Sequence, residues 1–173
     1  MKWYNYRGNG GPNGFSMMRI TLYHGSNCEI RNPEIRVGKY TKYFGAGFYC
    51  TEIKDQAERW ARRLSKSGQP GVLNVYAYDR ENGLNKLLFD RMTDAWLDFI
   101  VQCRSGIPHS YDIVAGAMAD DTIFNYIDDF ISGVITRNVF WELARFKYPT
   151  HQICFCTPSA LTHLAFVSSE SVE

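Results

Sequence analysis

The sequence predicts a single α+β domain, and three observations carry that expectation. Short runs that alternate apolar and polar residues, such as RITLYHGS at 19–26, lie among longer stretches whose apolar residues recur every three or four positions. These strand-like and helix-like segments mix without a regular βαβ repeat, which points away from a doubly wound parallel sheet. At 173 residues and 45% hydrophobic, the chain is long enough for one real core and short for two.

Residues 1–17 carry glycine and asparagine without periodicity and read as a flexible N-terminal extension to a domain at 18–173. The first strand sets Ile20, Leu22 and His24 on one face and ends at Gly25. FGAGFYCT follows at 44–51, a cramped loop whose Gly45 and Gly47 sit among Phe44, Phe48 and Tyr49. A helix begins there, with Thr51 as N-cap and Ile53, Ala57, Trp60, Ala61 and Leu64 as its apolar stripe. Its other face carries Lys54, Arg59, Arg62, Arg63 and Lys66, the pattern of a solvated surface.

GVLNVYAYD (71–79) reads as a second strand, and TDAWLDFIVQCR as a helix capped by Thr93 with Trp96, Phe99, Ile100 and Cys103 inward. YDIVAGAMAD (111–120) reads as a strand leading into a helix capped at Asp121, with Ile123, Phe124, Ile127 and Phe130 on its apolar face. A further helix follows Thr136 with Val139, Phe140 and Leu143 inward. HQICFCT (151–157) is the last strand expected, with Gln152, Cys154 and Cys156 on one face, before a short helix opened by Thr157 and Pro158.

Charge and cysteine content narrow the function. Nineteen basic residues nearly balance 18 acidic ones, so no global field recruits nucleic acid or an anionic membrane. Five cysteines without a CxxC pair fit reduced thiols in a cytosol better than disulfides, and metal ligation is not expected. The sequence has neither a membrane-length apolar run nor a signal-peptide core, so a cytoplasmic protein is expected, with leaderless export as an effector still compatible.

LYHGS at a strand's end, FGAGFYCTEIKDQAERWARR running from loop to helix, and HQICFCT near the C-terminus stand in an order that resembles the ADP-ribosyltransferase superfamily, on its diphtheria-toxin and poly(ADP-ribose) polymerase side. More closely, residues 20–166 resemble a bacterial family of uncharacterised domains assigned to that superfamily, with similar YHGS, FGxGFYxT and YDIVxGxxADD segments. The resemblance implies a split β-sheet core with surrounding helices, and NAD as substrate. It gives His24 the nicotinamide ribose, and Gly25 the carboxamide, whose donor and acceptor edges a backbone C=O and N–H can match. It also places Ser26, Gly47 and Tyr49 around the ring, and Trp60 where a helix tyrosine stacks on nicotinamide.

At the position of the superfamily's catalytic glutamate stands Gln152, of equal length but uncharged. A carboxylate there would stabilise the positive ribose left when nicotinamide departs. Glutamine can exchange hydrogen bonds but cannot act as a general base. Asp120 or Asp121 is the candidate replacement carboxylate, with capping of the next helix as the competing role for Asp121.

The function implied is mono-ADP-ribosyl transfer to a macromolecular acceptor, protein or nucleic acid, by a toxin or effector with an antitoxin protein as partner and no membrane role. A non-catalytic NAD- or ADP-ribose-binding module is the main alternative. An RNA 2′-phosphotransferase ranks last, because it would need several basic residues converging on the cleft.

Overall fold

A computed structural model of the chain describes residues 19–36, 42–66, 68–80, 83–117, 121–144 and 150–173. The expected N-terminal extension and Asp120 lie outside these residues, as does the side chain of Asp121. Seven strands and five helices are found among the described residues, in two sheets, so the chain is mixed α/β.

The first sheet has the order β1 (Arg19–Ser26), β3 (Gly71–Asp79), β7 (Leu164–Val172), antiparallel throughout. The second has the order β2 (Phe48–Cys50), β6 (Gln152–Phe155), β5 (Ile113–Gly116), β4 (Lys86–Leu88), with only β4 and β5 parallel. The sheets touch edge to edge where Tyr23 and Thr51 exchange two backbone hydrogen bonds of 2.8 and 2.9 Å. Elsewhere they pack face to face. Leu22, Tyr76 and Tyr78 from the first meet Phe48, Cys50, Ile113, Ile153 and Phe155 from the second in one buried cluster.

The outer face of the second sheet is covered by α2 (Asp94–Arg104), α3 (Asp121–Ile131) and α4 (Arg137–Leu143), around Trp96, Ile100, Ile123, Ile127, Phe140 and Cys154. Thr93 and Thr136 cap α2 and α4 as expected, their hydroxyls accepting from the amides of Trp96 and Val139. Thr157 does the same for the short α5 (Pro158–Leu161).

Helix α1 (Lys54–Leu64) lies on the outer face of the first sheet, and it departs from expectation twice. Its N-cap is Ile53, not Thr51, because the Thr51 backbone is committed to the bridge with Tyr23 and its hydroxyl accepts from the Ile53 amide. Of the expected stripe only Ala57 and Ala61 are buried, while Trp60 is 49% exposed and Leu64 37%. The reason lies in two glycines of the sheet beneath. A Cβ on Gly25 would stand 2.2 Å from the Ala57 carbonyl oxygen and 2.7 Å from the Ala61 nitrogen, and one on Gly71 would stand 2.2 Å from the Ala61 carbonyl oxygen. The helix therefore rests on the sheet by its backbone, along a seam too thin for an indole.

Three further expectations are corrected. Among the described residues the strand expected at 111–120 covers Ile113–Gly116, flanked by Asp112, whose carboxylate accepts from the Asn85 amide and the Thr157 hydroxyl. In α4 only Phe140 is buried, with Val139 and Leu143 at the surface. Within FGAGFYCT, Phe48–Cys50 is a strand rather than loop. No described helix is long and apolar enough to cross a membrane.

Candidate functional site

The three segments singled out in the sequence meet where the two sheets part. Beyond the Tyr23–Thr51 bridge the edges of β1 and β2 diverge, and the end of β1 lies against α1 through Gly25. Bridged residues share a face, so Tyr23 and Thr51 point the same way, as does Gln152, which sits opposite Thr51 on the register that pairs Cys50 with Ile153. Gly25, Tyr49, Thr51 and Gln152 thus belong to one continuous face across the split.

Gly25 has a consequence beyond packing. In an antiparallel ladder the N–H and C=O of successive residues point alternately to one edge and the other. Tyr23 spends both groups on Thr51, so the Gly25 groups, two residues on, also point away from β3 and toward the split. Among the described residues neither finds a backbone partner there. A donor and an acceptor stand side by side, as a carboxamide requires.

The turn after β1 is held by residues the sequence reading passed over. Asn74, fully buried in β3, accepts from the Ile30 amide at 2.8 Å and donates to the Cys28 carbonyl at 3.1 Å, while the Tyr76 hydroxyl donates to the Ile30 carbonyl at 2.6 Å. An asparagine interrupting an otherwise apolar strand was the available signal. Ser26 is buried there, its hydroxyl 3.8 Å from the Cys28 sulfur.

His24 lies on the inter-sheet face, its ring stacked on Phe48 at 4.4 Å between centroids. Its Nδ1 is 2.6 Å from the Tyr49 carbonyl oxygen, which can only accept, so Nδ1 carries the proton. Burial lowers its pKa to about 4, with the Tyr49 carbonyl opposing and the charges of Lys42 and Arg36 adding to the drop. The imidazole is therefore neutral at pH 7 with Nε2 as an acceptor, suited to a ligand hydroxyl.

This shift has a stability consequence. A folded-state pKa near 4 against 6.5 in the unfolded chain means that protonation favours unfolding, so the contribution is complete above pH 6.5 and is lost as pH falls toward 4. Unfolding in urea should report about 2 kcal/mol less stability at pH 4.5 than at pH 7 from this group alone. His151, lowered by burial, acts in the same direction. His24→Asn should flatten the pH dependence; an unchanged profile would assign it to other groups.

Tyr49 and Gly47 prove to be tied to the protein itself. The Tyr49 hydroxyl donates to the Gly45 carbonyl at 2.6 Å and accepts from the Phe44 amide at 3.2 Å, fixing a turn in which Gly45 takes φ 81°. Its ring remains a platform, with the Lys42 ammonium 4.7 Å from the centroid. A Cβ on Gly47 would fall 2.4 Å from the Cys154 sulfur, so the close approach this glycine permits is to β6.

Trp60 is rooted one residue before Ala61 and three after Ala57, the two residues on which Gly25 rests, and half its surface is open. One turn earlier on α1, the Gln56 side chain donates to the His151 carbonyl at 2.8 Å and accepts from the His151 amide at 3.1 Å. That two-bond clamp fastens the helix carrying Trp60 to the residue preceding Gln152. Of the basic face, Arg62 pairs with Glu58 and donates to the Glu173 carbonyl, and Arg63 lies 6.0 Å from the Trp60 ring.

Gln152 is 4% exposed, and its Nε2 has no hydrogen-bond acceptor among the described residues. An unpaired buried donor costs about 1–3 kcal/mol. Such an expense is common at sites that bind something.

Two cavities adjoin this region. One of about 340 Å³ opens between the sheets, lined by Tyr78, Ile113, Ile153 and His151 and by Arg80, which is ion-paired with Glu52. Another of about 420 Å³ is lined by Arg36, Lys42, His109, Tyr111 and Cys156. The predicted set His24, Gly25, Ser26, Gly47, Tyr49, Trp60 and Gln152 lines neither cavity.

No curated protein matches the sequence. One family profile does, described as "Protein of unknown function (DUF3990)", and it aligns with residues 20–166, from the second residue of β1 into β7. The chain belongs to this family.

Proposed function

We propose that the chain is an NAD-dependent mono-ADP-ribosyltransferase of the split-sheet kind, acting as a toxin or effector on a macromolecular acceptor. The observation that carries this reading is the outward-facing N–H and C=O pair of Gly25, without a backbone partner among the described residues and seated on the helix that bears the exposed Trp60. A flat carboxamide satisfies both groups while its ring stacks on an indole. His24 Nε2 accepts from a ribose hydroxyl, and the Gln152 amide donates to a second ribose oxygen. NAD supplies the electrophilic ribose carbon and nicotinamide as leaving group. The protein's own part is orientation, because Gln152 holds no charge to stabilise a cationic ribose. Asp120 or Asp121 supplies that charge in this scheme.

Incubation with NAD labelled on the adenine and with cell extract should transfer label to protein or nucleic acid, with release of nicotinamide. Neither transfer nor release, across extracts and pH, would remove the enzyme claim. Gln152→Leu should separate the two costs at this residue, raising stability by about 1 kcal/mol through loss of the unpaired donor while abolishing nicotinamide release. A destabilised variant would mean that the amide has a structural partner.

The neutral Gln152 favours a second reading, a module that binds NAD or ADP-ribose without turnover. Calorimetry distinguishes it: heat on NAD addition with no nicotinamide released supports the module. An RNA 2′-phosphotransferase has less support, since Arg62 is already engaged with Glu58 and the C-terminal carbonyl.

A further inference from the structure

Cys154 and Cys156 lie two residues apart on one face, with their sulfurs 3.4 Å from each other. They differ in surroundings. Cys154 is fully buried in β6 beneath Tyr49, whereas Cys156 stands just past the strand's end, partly accessible, on the wall of the 420 Å³ cavity. That cavity is lined by Arg36 and Lys42, and among the described residues by no carboxylate.

We propose that Cys156 and Cys154 form a peroxide-sensing dithiol, in which Cys156 is the attacked sulfur and Cys154 the resolving one. The Cys156 thiolate attacks one oxygen of a hydroperoxide, the O–O bond breaks, and the other oxygen leaves with a proton as water or alcohol, leaving Cys156 as a sulfenic acid. The Cys154 sulfur, giving up its proton, then displaces that hydroxyl as water. The net reaction turns two thiols and one hydroperoxide into a disulfide, one water and the peroxide's own alcohol or second water. Only about 1.4 Å of approach separates the present distance from a bond of about 2.0 Å.

The electrostatics assign the roles in the same sense. The Cys156 sulfhydryl lies within donating distance of the Cys154 sulfur and, at 3.5 Å, of the Cys154 carbonyl oxygen. Its thiol is held below its usual range, chiefly by the hydrogen bond with the Cys154 side chain and also by the Val114 amide, with burial and the nearby Asp112 acting against them. Burial pushes the Cys154 thiol well up, so it keeps its proton until the second step. The other cysteines lack this arrangement. Cys50 and Cys103 are buried and raised, and Cys28 is exposed.

The proposal is independent of NAD chemistry and is tested on the full chain with hydrogen peroxide as the probe. After brief treatment with a few equivalents, alkylation under denaturing conditions and digestion, the peptide holding both residues should be lighter by two hydrogens, unalkylated, and restored by dithiothreitol. Cys154→Ser should instead accumulate a dimedone adduct at Cys156. In Cys156→Ser, oxidation at Cys154 should fall at least tenfold. The proposal is overturned if Cys28 oxidises first while 154 and 156 stay alkylatable, or if the wild-type disulfide joins Cys103 to Cys156. Peptide mapping of the unmodified sequence decides these outcomes without relying on any variant folding.

Discussion

Gly25→Ala should lower stability by about 4 kcal/mol, or about 8–16 °C in melting temperature for a chain of this size. The added methyl would face two backbone atoms at 2.2 and 2.7 Å, and neither can rotate aside as a side-chain tip could. Relief requires α1 to lift from the first sheet, which opens Ala57, Ala61, Leu73 and Val172 to water. Gly71→Ala presses on the same helix from a neighbouring strand, so the pair should be less than additive once the helix has lifted. Thermal unfolding followed by circular dichroism checks both. A loss of less than 1 kcal/mol at Gly25 would mean that α1 does not sit so close to β1.

Trp60→Ala should weaken NAD binding by about 10–100-fold, the worth of one aromatic stacking platform, and leave the melting temperature within about 2 °C. Half-exposed residues rarely contribute much to folding, so a binding loss here cannot be charged to unfolding. Trp60→Tyr should keep most of the affinity, since a phenol still offers a face to the ring. Titration calorimetry provides the comparison. Equal affinity in the alanine variant would dissociate the indole from the ligand and remove one wall of the proposed site.

The elements most legible in the sequence were those whose signals are local. Thr93, Thr136 and Thr157 announced three helix starts because a hydroxyl before an amphipathic run has one main use. Alternation placed β3 to the residue and β1 to within one, since β1 runs on to Ser26. The strands that escaped were Phe48–Cys50, Lys86–Leu88 and Leu164–Val172. Two are three residues long, too short for a period to register, and the third reads LAFVSSESV, with serines where an apolar face would show.

The site was legible in part for the same reason. Three motifs gave the candidate site its residues, but the exposure of Trp60 was hidden, because a helix that packs by backbone on glycines disobeys the apolar stripe. The Gln56 clamp, the Asn74 latch and the outward edge of Gly25 depend on partners far along the chain, and no spacing rule anticipates them.

The bidentate grip of Gln56 on the backbone at 151 couples the jaws of the split. Through it the helix that carries the exposed indole is tied to the strand that carries the buried Gln152 amide. Helix and strand are thereby held at a fixed spacing by a side chain, so a Gln56→Ala change would free one to shift against the other.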